Sequence, residues 1–193
     1  MKTELLGIKG SWREVADSAN TTVNRKPGSK EPASTWKRRM LLCEHSPIRQ
    51  IFIKLKWSNL KSWVSVHFVR HKIGVEHWVR SQRTDRTGVD RDTLPQSTLV
   101  EHEIMADAQA IINISRKRLC NQASKETRAA WQAAIEVFRE KEPELYAACV
   151  PDCLYRGWCY EFKSCGYHNT PAFQKRLSEY RQGINTSPSP LQS

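Results

Sequence analysis

Two groups of residues in this chain have the types and spacing to do chemistry. The first is the segment "RHKIGVEHWVRSQRTDR", residues 70 to 86. It gathers Arg70, Lys72, Arg80, Arg83 and Arg86 with His71 and His77, and threads Trp78 and two valines among them. Like charges crowded this closely repel, so the cluster is either a solvated face or faces something anionic. The second is "CVPDCLYRGWCYEFKSCGYH". Cys149, Cys153, Cys159 and Cys165 are spaced by four, six and six positions, and His168 follows three later. Thiolates in short loops, with Gly157 and Gly166 nearby, are what a tetrahedral zinc site requires. The usual pairs of cysteines two residues apart are absent. Cys149 falls at the end of an expected helix, where Cys120 or His168 could serve as fourth ligand instead. The alternative is a set of plain thiols in a loop-rich segment.

Composition points the same way as the basic segment. The 193 residues carry a net charge of +11, which favours a nucleic acid, a nucleotide or a membrane surface as partner. No apolar run approaches the roughly 20 residues that span a bilayer. "MKTELLGIKGSW" lacks the apolar stretch of a secretion signal. The expected compartment is the cytoplasm, where six cysteines read as thiols or metal ligands rather than disulfides.

The elements that must position these groups follow from pattern. Residues 18–35 are polar, with two prolines and a glycine, and read as an exposed loop. A short helix is expected at "WKRRMLL", then a turn at "EHSPIR", because a residue before proline is pushed out of the helical region. Ile51, Ile53, Leu55 and Trp57 alternate with Gln50, Lys54 and Lys56, Phe52 being the exception, as in a half-buried strand. "WVSVHFVRH" fits strand or helix. "DRTGVDRDTLPQS" is a loop. From Leu99 to Cys120 the apolar residues Ile104, Ala108, Ile111, Ile112 and Leu119 recur at roughly helical spacing. A second helix is expected from Ser124 to Lys141, with Ser124 as its cap. On such helices Asn113 and Arg118 lie about 140° apart, so they address different ligands or different ends of one site. His67 and His77 read as structural or surface residues. Strands mixed with two long helices indicate an α+β domain. Its expected parts are an N-terminal segment with a polar loop (1–40), a catalytic core (41–148), a cysteine-rich segment (149–180) and a disordered tail (181–193).

The basic segment resembles a family signature. "FVRHKIGVEHWVRSQR" is similar to that of the flavin-dependent thymidylate synthases, the ThyX family, which reads Arg-His-Arg, a spacer, Ser and a further Arg. Arg70, His71 and Lys72 take the triplet, and Ser81 and Arg83 the end, with a spacer one residue longer. Upstream, "EHSPIR" resembles the family's His-x-Thr/Ser-Pro stretch and places Ser46 and Pro47. Downstream, "RDTLP" places Arg91. "NISRKRLCNQASKETR" resembles the family's helix pattern and places Asn113, Arg118, Ala123, Glu126 and Arg128. The chain departs from the family at Lys72, which keeps the charge of the third arginine but loses its planar fork. It departs also at Ile48, in a short stretch between Arg83 and Arg91, and in the cysteine-rich end. These departures suggest a divergent, phage-type branch.

The resemblance implies an antiparallel sheet flanked by long helices and a homotetramer with sites between subunits. It implies reductive methylation of dUMP at C5, with FAD as cofactor, NADPH as reductant and methylenetetrahydrofolate as carbon donor. Ser81, Arg83 and Arg91 take the family's phosphate-binding positions. Arg118 takes that of the cation on the pyrimidine, where it stabilises charge developing on the ring. Arg70, His71 and Lys72, with Ser46 and Asn113, take the flavin-binding positions. A cysteine nucleophile is not needed, although Cys120 offers one. Two alternatives stand beside this reading. One is another C5 transfer on a pyrimidine nucleotide, such as hydroxymethylation. The other is a nucleic-acid-binding module with a zinc-stabilised C-terminus.

Overall fold

The computed structural model describes residues 1–182. In chain order they form β1 (Lys2–Lys9), α1 (Trp12–Thr22), α2 (Ser34–Leu42), a 3-10 turn (Ser46–Gln50), β2 (Phe52–Lys61), α3 (Ser62–Val69), β3 (Val75–Val79) and α4 (Thr84–Thr87). A second 3-10 turn (Arg91–Thr93), β4 (Leu99–Asp107), α5 (Ala108–Arg118), α6 (Lys125–Glu136), α7 (Pro143–Ala148), α8 (Asp152–Arg156), a third 3-10 turn (Tyr167–Asn169) and α9 (Pro171–Arg181) follow. The strands make one antiparallel sheet in the order β1-β2-β4-β3. This is the α+β architecture expected, although its helices are shorter than the sequence pattern suggested.

One sheet face carries the core. Ile53, Leu55 and Trp57 of β2 and Ile104 and Ala106 of β4 are buried, with α3, α5 and α6 contributing Val64, Phe68, Ile111, Ile112, Ala130 and Trp131. Trp57 stacks on Phe68 with ring centroids 4.9 Å apart. Buried indoles need a partner for their N–H. Trp57 donates to the Ala130 carbonyl at 3.0 Å and Trp131 to Ser115 Oγ at 2.9 Å. The opposite face bears charge: Lys54 pairs with Glu103 and Lys56 with Glu101. A smaller apolar cluster, Val150, Leu154, Phe173, Leu177 and Tyr180, ties α8 to α9. Arg38 holds the end of α9, donating to the carbonyls of Glu179, Tyr180 and Gln182, each at 2.9 Å.

Several expectations change. Leu99 to Cys120 is not one helix: it is strand β4 followed by α5. Val100, His102, Ile104 and Ala106 are buried in alternation, a strand period that a search for helical spacing overlooks because Ile104, Ala108 and Ile111 also fit the longer period. Asp107 stops the strand and caps the helix, its Oδ1 accepting from the Ala110 N–H at 2.7 Å. The loop of residues 18–35 is narrower, since α1 reaches Thr22 and α2 begins at Ser34. "WVSVHFVRH" resolves as helix α3. The cap at Ser124 holds, accepting from the Thr127 N–H at 3.3 Å, but α6 ends at Glu136. Nearly all of the tail 181–193 lies outside the described residues. Among the described residues no helix is long and apolar enough to cross a membrane.

Candidate active site

The basic triplet sits at the corner between α3 and β3. Arg70 caps α3 and is exposed, as is Lys72, whereas His71 turns inward. Gly74 closes the corner at φ +71°. A side chain there would collide with the carboxylate of Asp107, which leads into α5. The Asp107 N–H also donates to the Gly74 carbonyl at 2.8 Å. The triplet is thereby set against the helix that carries Arg118.

Arg118 closes the gap. Its Nε donates to His71 Nε2 at 2.9 Å, and its Nη2 donates to the His67 carbonyl at 2.6 Å. A guanidinium only donates, so His71 Nε2 must be the unprotonated nitrogen and Nδ1 carries the proton. Burial, reinforced by the Arg118 charge, pushes His71 down to about 4 and keeps it neutral. Arg118 is itself lowered from the ordinary arginine range by burial and by the adjacent Arg70.

Behind His71 runs a hydrogen-bonded relay. His77 Nε2 lies 2.8 Å from the His71 carbonyl, His77 Nδ1 lies 3.0 Å from His102 Nε2, and His102 Nδ1 lies 3.0 Å from Ser65 Oγ. A carbonyl only accepts, which sets every tautomer in turn. His77 donates from Nε2, His102 donates from Nε2 to His77 Nδ1, and the Ser65 hydroxyl donates to His102 Nδ1. His102 is fully buried, and burial pushes it down to about 4. His77, expected as a structural or surface residue, is half-buried and bridges His71 to His102; the pattern does not single out Ser65 or His102. The available signal was a histidine at an inward position of an alternating strand. His67 is held too, its Nδ1 3.0 Å from Thr127 Oγ1.

The other candidate residues fall into two groups. Ser81, Arg83 and Arg91 lie on the exposed loop between β3 and β4. Arg83 is engaged by Asp85 through two hydrogen bonds, at 2.9 and 2.8 Å. The Arg91 N–H donates to Thr84 Oγ1 at 3.3 Å, and among the described residues its guanidinium has one distant ion pair, 3.9 Å, with Asp92. Among the described residues no hydrogen bond joins this loop group to His71 and Arg118. Asn113 is exposed on another side of α5, where it accepts from Gln109 at 3.3 Å and from Arg116 at 3.1 Å. Arg116 pairs with Glu44 and stacks on Tyr155, 3.4 Å from the ring centre. Ser46 follows Glu44 by two residues, exposed at the start of a 3-10 turn.

The cysteines also separate. Cys149 belongs to the main core, where burial raises its thiol to about 12. Cys120 instead stands with Cys153, Cys159 and Cys165 on one cavity. Burial pushes the Cys120 thiol up, the opposite of what a nucleophile needs.

Among solved structures, ThyX from Helicobacter pylori, complexed with FAD and dUMP, matches with a TM-score of 0.65 over 78% of this chain and 100% of that one, at 12% identity. The fold is that of the flavin-dependent thymidylate synthases. A second H. pylori ThyX structure, also with FAD and dUMP, matches over 78% and 99% with the same TM-score and identity. The UMP/dUMP methylase PolB from Streptomyces cacaoi, bound with 5-Br dUMP, shares the ThyX fold with a TM-score of 0.61 and 13% identity, over 76% and 93% of the two chains. No protein-family model and no curated protein matches the sequence. The likeness therefore lies in the backbone fold.

Proposed function

We propose that this chain is a flavin-dependent enzyme that methylates dUMP at C5. The carbon comes from methylenetetrahydrofolate and the electrons from NADPH by way of FAD. The observation that carries the reading is the Arg118–His71 hydrogen bond on a ThyX fold. It unites two motif positions 47 residues apart.

The residues present suit the cofactor. Arg70 and Lys72 offer two exposed cations to a diphosphate, and the neutral His71 adds a ring N–H donor. Ser46 and Asn113 are neutral partners, and the nearby Glu44 carboxylate is already compensated by Arg116. When bound, FAD supplies the redox chemistry that no side chain here can. The chain's own share is position and charge. Ser81, Arg83 and Arg91 grip the dUMP phosphate through charge-assisted bonds. Arg118 lies against the uracil and stabilises negative charge as C5 becomes nucleophilic. C5 gains a methyl group and loses a proton.

The loop cations are exposed, and so are Ile73 and Trp78, which interleave with the basic residues Lys72 and Arg80 just before them. That surface suits completion by a second copy, in a homotetramer whose neighbours share each site. The expected setting is the cytoplasm.

The test is direct. Purified chain is titrated with FAD, then supplied with dUMP, methylenetetrahydrofolate and NADPH, and the product is identified by mass spectrometry. Saturable flavin binding and dTMP support the reading. A hydroxymethylated product redirects it to another C5 transfer. A colourless protein that ignores FAD but binds DNA with steep salt dependence overturns it.

A further inference from the structure

One feature of the chain is not used by nucleotide chemistry. A cavity of about 220 Å³ opens between the end of α5 and the C-terminal segment, and Cys120, Cys153, Cys159 and Cys165 all line it, with Glu161 and His168 beside them. These thiols come from three separate places: the turn after α5, helix α8, and the stretch between α8 and the last 3-10 turn. All four are free. Convergence of four cysteines from distant positions is not a product of composition, since the remaining two, Cys43 and Cys149, lie elsewhere.

The surrounding stretch needs an organiser. Residues 157–166 contain no helix or strand. Its Phe162 is fully exposed, while Trp158 and Tyr160 are half-exposed, Trp158 edge-on to His168 at 4.4 Å and Tyr160 under Arg156 at 3.7 Å. None of the three aromatics joins an apolar core cluster, so apolar packing does little to hold the stretch. What ties it to α5 is polar: Gln122 Nε2 donates to the Lys163 carbonyl at 2.6 Å, and Asn121 Nδ2 donates to Cys165 Sγ at 3.6 Å.

We propose that Cys120, Cys153, Cys159 and Cys165 form a tetrahedral thiolate site for a soft divalent cation, zinc foremost, which pins the C-terminal segment to the end of α5. Four sulfurs and no open position describe a structural centre. Binding free energy of the ion becomes ordering free energy of the segment. Among the described residues no three ligands already surround a single point. Closure takes side-chain rotation and a shift of 157–166, which has no ladder of hydrogen bonds to resist it. Because Cys120 is two residues past Arg118, the ion would also steady the turn that presents that arginine. The set differs from the sequence expectation by exchanging Cys149 for Cys120.

Reduced full-length chain, purified without chelator, is analysed for metal and titrated with cobalt(II). About one zinc per chain is expected, and cobalt should give the visible bands and sulfur charge-transfer absorption of tetrahedral thiolate coordination, bleached by added zinc. Cys159→Ser and Cys165→Ser lie in the exposed stretch and should weaken the metal at least about tenfold. Cys43→Ser should leave it unchanged. Chelator should lower the melting temperature of the parent and not of Cys159→Ser. Metal-free protein without cobalt bands, serine variants that bind like the parent, or disulfides joining these four in fresh protein would overturn the proposal. None of these readouts involves flavin or dUMP, so the site stands or falls apart from the enzymatic reading.

Discussion

Arg118 Nε and His71 Nε2 lie 2.9 Å apart, joining the last turn of α5 to the second residue past the end of α3. A cation donating to an imidazole obliges that imidazole to be neutral. The pair thereby settles the charge of the triplet's central residue and the direction of Arg118 together.

The pair should be energetically coupled. Arg118→Ala strips donors from His71 Nε2 and from the His67 carbonyl, at a cost of about 1–3 kcal/mol. In a double-mutant cycle with His71→Ala, urea unfolding should return a coupling of about 0.5–3 kcal/mol. Additive losses would mean that the two side chains do not act together.

Stability should fall in mild acid. His71 and His102 are both held near 4 in the folded chain, against an ordinary value of 6.5. Between those values the unfolded chain binds more protons, so stability rises with pH. It is complete above about 6.5 and drains away as pH falls toward about 4. Melting temperatures measured across that window should decline steadily, and His102→Leu should flatten the decline even though it lowers stability at neutral pH. A parent profile flat from pH 7 to 4.5 would contradict the neutral relay.

The relay should matter at a distance. His77→Leu leaves the His102 N–H and the His71 carbonyl without partners, a loss of about 1–3 kcal/mol. In the proposed enzyme it should also weaken FAD, since the backbone at His71 loses its anchor. Fluorescence quenching by titrated FAD, beside a urea midpoint, separates the two effects. Unchanged flavin affinity would reduce His77 to a packing role.

Gly74 should tolerate no side chain. Alanine there meets both a positive φ and the Asp107 carboxylate, a strain of about 1–3 kcal/mol. Gly88 has a similar φ but open space around it, so Gly88→Ala should cost less. Equal midpoints for the two variants would show that the Asp107 contact carries no weight.

Loop charges should affect ligand and not fold. Arg91 is exposed and nearly unpartnered, so Arg91→Ala should leave the melting curve unchanged while dUMP binding, followed by calorimetry, weakens about tenfold or more. Arg83 is already bound by Asp85. Asp85→Asn should release it and tighten dUMP. Looser binding in that variant would mean that Asp85 orients Arg83 for the phosphate.

The sequence alone determined the α+β class, the buried alternation of β2, the cap at Ser124 and the motif spacing that suggested a ThyX-like chain. These are local matters: a period, a cap or a short motif needs only its neighbours in the chain. It could not separate β4 from α5, because Ile104, Ala108 and Ile111 satisfy a helical period while the strand that precedes them satisfies another. Nor could it join Arg118 to His71, link His102 to Ser65, or choose between Cys149 and Cys120 for the cavity shared by Cys153, Cys159 and Cys165. Each of those depends on which elements pack together. The burial of Cys149 is decided by apolar contacts between segments far apart in the chain, and the return of residues 157–166 past the end of α5 is held by polar ones. Spacing along a sequence carries no record of such contacts.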